Sequence, residues 1–214
     1  MKKLSITFFL ILSLLLTLCS SASADVITAM AIEINPEHLE KTASYARILG
    51  YNADSNTLTV ELIAPERFSG EEVVALKEGD SIYTDGHEVL IESMSYDDDW
   101  CSTVFINDGD ILLYQDRSGD YTMMSDEDDC VWNTVALIEC PVKDSLLFLD
   151  YVEEETGNAL ELPVIYTAQE LIAQLLEEEA SEFFTIGLST NNVYVLFDEA
   201  GQLAVIHRFY VPWQ

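Results

Sequence analysis

The sequence predicts an α+β protein, predominantly antiparallel β-sheet in hairpins and a meander, with one amphipathic helix near residues 167–182 and a short helix near 70–77. Three observations carry this. Val, Ile, Tyr, Phe and Thr gather in runs of strand length, separated by clusters of Asn, Asp, Gly and Pro. Asp85-Gly86 lies between two such runs, the strongest short hairpin cue, and Asp108-Gly109 repeats the pattern. One long stretch, "TAQELIAQLLEEEASE", instead spaces its apolar residues with the helical period.

The elements follow in chain order. "MKKLSITFFLILSLLLTLCSSASADVIT" opens with Lys2 and Lys3, continues uncharged from Leu4 to Leu18, and reaches Ala22-Ser23-Ala24. That layout reads as a secretory signal peptide over residues 1–24, cleaved after Ala24. Its apolar part stops short of the about 20 residues a membrane span requires. A lipoprotein signal at Cys19 is disfavoured, because Leu18 stands where a small residue is usual. Residues 25–214 then read as a single β-rich globular domain, with a candidate subdivision near 96–100.

Val26 to Ile34 reads as a strand that closes at Asn35-Pro36. Tyr45 to Tyr51 and Thr57 to Ile63 flank "NADSN" as a hairpin. "SGEE" at Ser69 to Glu72 has the spacing of a capping box, and a short helix through Val73, Val74 and Leu76 should end near Gly79. Residues 80–125 read as an antiparallel meander. Strands are expected at Val131 to Ile138, Leu146 to Val152 and Leu160 to Tyr166. Thr167 and Glu170 form a second capping box, and Ala168, Leu171, Ile172, Leu175 and Leu176 make one apolar helix face. Asn192 to Phe197 and Leu203 to Val211 form a closing hairpin around "DEAG". The second of these is apolar on both faces, which suits a central strand. In it, His207-Arg208 reads as a buried, paired group or as a polar lining of a pocket.

Charge narrows the partners. Nine Lys and Arg stand against 39 Asp and Glu, a net charge of −30, and loss of Lys2 and Lys3 makes the processed chain more negative still. Such a surface repels phosphate, so the expectation is no nucleic acid, and no membrane once the leader is removed. A cationic protein, a metal ion or a glycan remains as a partner. High charge also serves solubility alone.

Chemistry-bearing motifs are scarce. No GxSxG, Walker loop, GxGxxG, CxxC or HExxH occurs, so no catalytic residue and no cofactor is assigned. Calcium is the one ion the sequence invites. Asp116, Ser118, Asp120 and Glu127 fall at ligand positions of a calcium loop, although Tyr121 occupies the usual glycine position. A second candidate pools Asp97, Asp98 and Asp99 with Asp126, Asp128 and Asp129, if their two loops converge. The bland reading of both is a solvated turn.

Of four cysteines, Cys101, Cys130 and Cys140 stay after cleavage. Cys130 and Cys140 share one expected strand, about 33 Å apart at 3.3 Å per residue, against the roughly 7 Å a bridge allows. Any disulfide therefore uses Cys101; Cys101–Cys130 is preferred over Cys101–Cys140, since each opens a strand after an acidic loop, and an unbridged set of buried thiols is the equal alternative. Asp128 and Asp129 would raise a nearby thiol pKa, which argues against a catalytic cysteine. Trp100, Trp132 and Trp213, with ten tyrosines, could stack sugars or simply fill strand pairs.

The functional expectation is a secreted acidic protein acting as a non-catalytic extracellular binding or interaction module. The alternatives are a secreted hydrolase with a carboxylate-based site and a calcium-stabilised structural domain. An enzyme should show a deep pocket with convergent polar groups and a raised carboxylate pKa. A binding module should show a flat aromatic face.

Overall fold

The structure, a computed structural model, describes residues 24–97, 102–124, 130–153, 158–180, 187–190 and 192–209. The expected signal peptide, apart from Ala24, lies outside them. Among these residues the chain is β-rich, with mostly antiparallel sheets and two α-helices. In chain order the elements are β1 (Val26–Thr28), β2 (Ala43–Asn52), β3 (Thr57–Pro65), β4 (Arg67–Phe68), α1 (Gly70–Ala75), β5 (Ser81–Thr84), β6 (His87–Leu90), β7 (Met94–Asp97) and β8 (Thr103–Ile106). After a single 3-10 turn at Asn107–Gly109 come β9 (Ile111–Gln115), β10 (Tyr121–Met124), β11 (Trp132–Pro141), β12 (Leu147–Val152), β13 (Ala159–Thr167), α2 (Ala168–Ala180), β14 (Val193–Phe197) and β15 (Leu203–Arg208).

The chain divides into two compact units, one of residues 1–29 with 68–127, the other of residues 30–67 with 128–214. The sequence places a candidate subdivision near 96–100; the divisions found fall at 29–30, 67–68 and 127–128.

In the first unit, β5 and β6 form the hairpin signalled by Asp85-Gly86, whose φ values of 46° and 75° are left-handed. A type I′ turn needs that conformation at both central residues, and the Asp-Gly pair supplies it. β1 adds to β5 in parallel and completes a three-stranded sheet in the order β1-β5-β6. The expected strand from Val26 to Ile34 is therefore only Val26–Thr28. The expected meander of 80–125 is divided between two sheets, with β7 to β10 in a five-stranded one ordered β4-β10-β9-β8-β7. Ser69 caps α1 by position alone, with no side-chain hydrogen bond. The Gly70 N–H instead meets Asp120 Oδ1 at 3.3 Å.

The second unit is a seven-stranded sheet in the order β11-β3-β2-β14-β15-β12-β13. All its pairings are antiparallel except β12 with β15. One face carries the core, where Ala46, Ile48, Val60, Leu62, Phe148 and Ile206 pack with Leu171 and Leu175 of α2. The Thr167–Glu170 box forms as read: the Thr167 N–H and hydroxyl donate to Glu170 Oε2 at 2.7 and 2.8 Å, and the Glu170 N–H donates back to Thr167 Oγ1 at 3.4 Å. α2 then buries Ala168, Leu171 and Leu175, while Leu176 stays 44% exposed.

Candidate functional site

The pleat of the seven-stranded sheet sends alternate side chains to the face opposite the core. On that face one register row crosses the whole sheet. Thr134 pairs with Ile63, Ile63 with Tyr45, Tyr45 with Tyr194, Tyr194 with His207, His207 with Leu149 and Leu149 with Ile165. Two residues along the strands from this row stand Trp132 on β11, Tyr151 on β12 and Phe209, which follows β15 directly.

The rings touch in sequence. Tyr45 meets Trp132 at 4.9 Å between centroids and Tyr194 at 5.3 Å, the second nearly edge-on at 80°. Tyr194 meets Phe209 at 6.5 Å. Phe209, His207 and Tyr151 lie with planes within 10–16° of parallel at 5.8–6.3 Å. From Trp132 to Tyr151 the stripe takes five strand-to-strand steps, about 24 Å at 4.8 Å per step. Tyr45 is 43% exposed and Phe209 39%, and the other rings are half-buried. Burial pulls the His207 pKa below its ordinary 6.5, so the imidazole is neutral at pH 7 and behaves as one more ring in the stripe.

A polar group borders the stripe. Arg47 Nη1 donates to Glu61 Oε2 at 3.0 Å across the β2–β3 pair, and Thr134 Oγ1 donates to Glu61 Oε1 at 2.5 Å. The Thr134 hydroxyl, with Arg47 beside it, holds the Glu61 carboxyl below its ordinary range against an opposing push from burial. Glu61 is thus ionised and paired.

Behind the stripe, the core face holds one buried ion pair. Arg208 Nε donates to Asp150 Oδ1 at 2.8 Å and Nη2 to Oδ2 at 2.6 Å. The two residues are register partners in the parallel β12–β15 ladder. The buried, paired reading of Arg208 therefore holds for Arg208, while His207 faces the other way.

Sequence-assigned acids lie elsewhere. Asp97 ends β7 opposite Thr103. Asp116, Ser118 and Asp120 form the β9–β10 turn, where the Ser118 N–H and hydroxyl both donate to Asp116 Oδ1, at 2.7 and 2.5 Å, and the hydroxyl reaches Asp120 Oδ2 at 3.1 Å. Asp98, Asp99, Asp126, Glu127, Asp128 and Asp129 lie outside the described residues, as do Trp100 and Trp213. Among the described residues no three His, Cys, Asp or Glu converge as a metal would require. No disulfide is seen among them either; they include Cys130 and Cys140 but not Cys101. Cys140 is buried, and burial, aided by Glu139, pushes its thiol up to about 12, which makes it inert.

Two concavities carry carboxylates. One of about 300 Å³ lies where Ile48, Leu49 and Tyr51 face Leu175 and Leu176, with Glu178 as its carboxylate. Another of about 310 Å³, in the first unit, sets Glu78 and Asp108 near Ser93, Met94 and Phe105. Where a described carboxyl departs from its ordinary pKa, at Glu61, Glu170 and Asp198, it is lowered. No helix among the described residues is long and apolar enough to cross a membrane.

The stripe was missed from the sequence because its members come from five separate strands. The local signal was the alternation of Val205, His207 and Phe209 along β15; Leu203, which the same alternation would add, lies in the core beyond the register shift between Leu196 and Phe197. Comparison with family models, curated proteins and solved structures gives no match for this chain.

Proposed function

We propose that this is an exported, non-catalytic binding module that takes a neutral glycan chain on the aromatic stripe of the second unit. The observation that carries the reading is the register row Tyr45–Tyr194–His207, extended at its ends by Trp132, Phe209 and Tyr151. Half-exposed rings that already support one another, edge-on at Tyr45–Tyr194 and near-parallel at Tyr151, His207 and Phe209, present apolar faces at little conformational cost. The C–H face of a pyranose is the complementary surface.

Charge favours a neutral ligand. At a net charge of −30 an anionic polymer is repelled. A cationic protein would seek unpaired carboxylates, whereas Glu61 beside the stripe is already held by Arg47 and Thr134. With Arg47 and Glu61 paired, that cluster adds no net charge at the stripe's border, which suits an uncharged ligand. A hydrolytic reading needs a carboxylic acid kept protonated near neutral pH. The lowered carboxyls described above run opposite to that need.

The test is titration of the chain beginning at Asp25 with neutral hexasaccharides of β-glucan, xylan and N-acetylglucosamine, followed by amide NMR and calorimetry. Shifts should concentrate on β2, β14 and β15, and the Tyr45→Ala/Tyr194→Ala double variant should lose at least about tenfold in affinity, the equivalent of roughly 1.4 kcal/mol. Unchanged affinity in that variant would sink the stripe. Binding of oligolysine alone, abolished by salt and sparing the stripe, would replace the glycan reading with an acidic-surface one.

A further inference from the structure

We infer that Asp80 is the built-in receptor for the α-ammonium group that leader removal creates at Asp25, so that processing locks the edge of the three-stranded sheet in the first unit. The inference rests on cleavage after Ala24 and goes beyond the glycan reading. It begins with a buried acid. Asp80 is 1% exposed, and its Oδ1 lies 3.1 Å from the backbone nitrogen of Asp25. A buried carboxylate thus already accepts from the backbone nitrogen that cleavage would turn into a cation.

The surroundings hold this geometry in place from both sides. The Asp80 backbone is clamped, its N–H donating to the Lys77 carbonyl at 3.1 Å and its carbonyl accepting from Ile91 at 2.9 Å. Its second oxygen, Oδ2, accepts the Lys77 N–H at 3.1 Å. The Asp25 side is fixed as well: its carbonyl accepts the Ser81 N–H at 2.8 Å, and Val26 to Thr28 continue the ladder in parallel register with Ser81 to Tyr83. The Asp25 nitrogen therefore keeps its position whether or not chain precedes it.

What changes on cleavage is charge. Hydrolysis of the Ala24–Asp25 bond consumes one water. The hydroxyl goes to the Ala24 carbonyl carbon and a proton to the Asp25 nitrogen, which takes a further proton from solvent below its pKa of about 8. A neutral amide donor becomes an ammonium with three N–H bonds, and its nitrogen already lies within hydrogen-bond reach of Asp80 Oδ1. Charge-assisted bonds are about twice as strong as neutral ones. The cation now nearest to Asp80, Lys77 Nζ, is 3.9 Å away on a side chain 64% exposed, where an ion pair contributes little.

The consequence falls on β1. A two-stranded hairpin such as β5–β6 is marginal by itself, and a third strand stabilises it. β1 is that strand and is only three residues long. While the leader is attached, the Asp25 nitrogen gives Asp80 only a neutral N–H bond, and cleavage turns that bond into an ammonium–carboxylate pair. Final closure of this sheet is thereby coupled to export, which keeps the unprocessed chain looser.

Three forms of the full processed chain test this: one beginning at Asp25, the same chain acetylated on the Asp25 nitrogen, and one beginning at Ala24. The acetylated form keeps the N–H but loses the charge. The free Asp25 form should melt about 3 °C or more above the other two, with slower hydrogen exchange at the amides of Ser81 to Thr84. Asp80→Asn should erase that difference, and if this variant does not fold, the acetylated pair still decides. Equal melting and equal exchange in all three forms would overturn the receptor role. Intact mass of the natively exported protein checks the premise separately: a start other than Asp25 removes the coupling to export, and the comparison with the acetylated chain still measures the ammonium–Asp80 bond.

Discussion

Arg208→Met tests the energetic centre of the second unit. The guanidinium gives Asp150 two charge-assisted hydrogen bonds, at 2.8 and 2.6 Å, between side chains only 10% and 5% exposed. Methionine keeps most of the volume and removes both bonds. The carboxylate is left in the core with the Val152 N–H at 3.0 Å on Oδ1. Breaking a buried pair from one side costs about 3–5 kcal/mol, mainly because a charge is stranded. At about 2–4 °C per kcal/mol for a chain of this length, the melting temperature falls by roughly 6–20 °C. Thermal melts by near-ultraviolet circular dichroism measure this, and hydrogen exchange at β12 and β15 amides locates the loss. Asp150→Leu combined with Arg208→Met replaces the pair with apolar groups and should recover most of the stability, since such replacements are often neutral or better. An Arg208→Met cost below about 1 kcal/mol, or single and double variants additive within about 0.5 kcal/mol, would show that the two groups are not coupled.

Further outcomes follow from other sites. A Cβ built on Gly70 stands 2.1 Å from the Gly119 carbonyl oxygen, and backbone cannot swing aside like a side chain. Gly70→Ala should therefore cost about 1–3 kcal/mol in urea unfolding of the first unit. The Glu170 carboxyl is held below its ordinary 4.5 by the Thr167 N–H and then by the Thr167 hydroxyl. With the folded pKa depressed, its contribution is fully present above the unfolded value and is lost as pH falls through the folded one. Glu170→Gln should flatten that acidic limb of the stability profile, and carbon NMR titration should place the Glu170 midpoint below 4.5. Cys140, with its thiol pushed up to about 12, should resist disulfide-exchange reagents at pH 8 in the folded chain and react on denaturation.

What the sequence discloses here is what short-range chemistry decides. Asp85-Gly86 needs left-handed backbone at adjacent positions, and that requirement is local, so the β5–β6 hairpin was legible. The Thr167–Glu170 box was legible for the same reason. Ser69 and Glu72 show the same spacing, yet no side-chain cap bond forms, and the Gly70 N–H goes to Asp120, 50 residues away. No local pattern carries that. Likewise, β3 and β11 pair across the entire insertion that forms most of the first unit. Alternation along β15 discloses two apolar faces and a central place, but not that β12 runs parallel to it. Arg208 could be read as buried and paired, while its partner Asp150, 58 residues earlier, could not. The aromatic stripe was hidden most deeply, because Tyr45, Tyr194 and His207 become neighbours only through register.

Register also joins the buried pair to the stripe. In the parallel β12–β15 ladder, Asp150 pairs with Arg208 and Leu149 with His207. A slip of one residue would turn Arg208 toward the stripe and His207 into the core, since strand side chains alternate with a period of two. Apolar residues alone guard weakly against this, because both faces of β15 are largely apolar. The ion pair guards strongly, since a slipped strand would bury Asp150 without its guanidinium. The Asp150→Leu/Arg208→Met chain should therefore keep its melting temperature while its ring contacts Tyr194–Phe209 and Tyr151–His207 weaken in nuclear Overhauser spectra. If those contacts and glycan affinity both persist at full strength, the pair contributes stability only, and the order of the stripe arises from side-chain packing across the sheet.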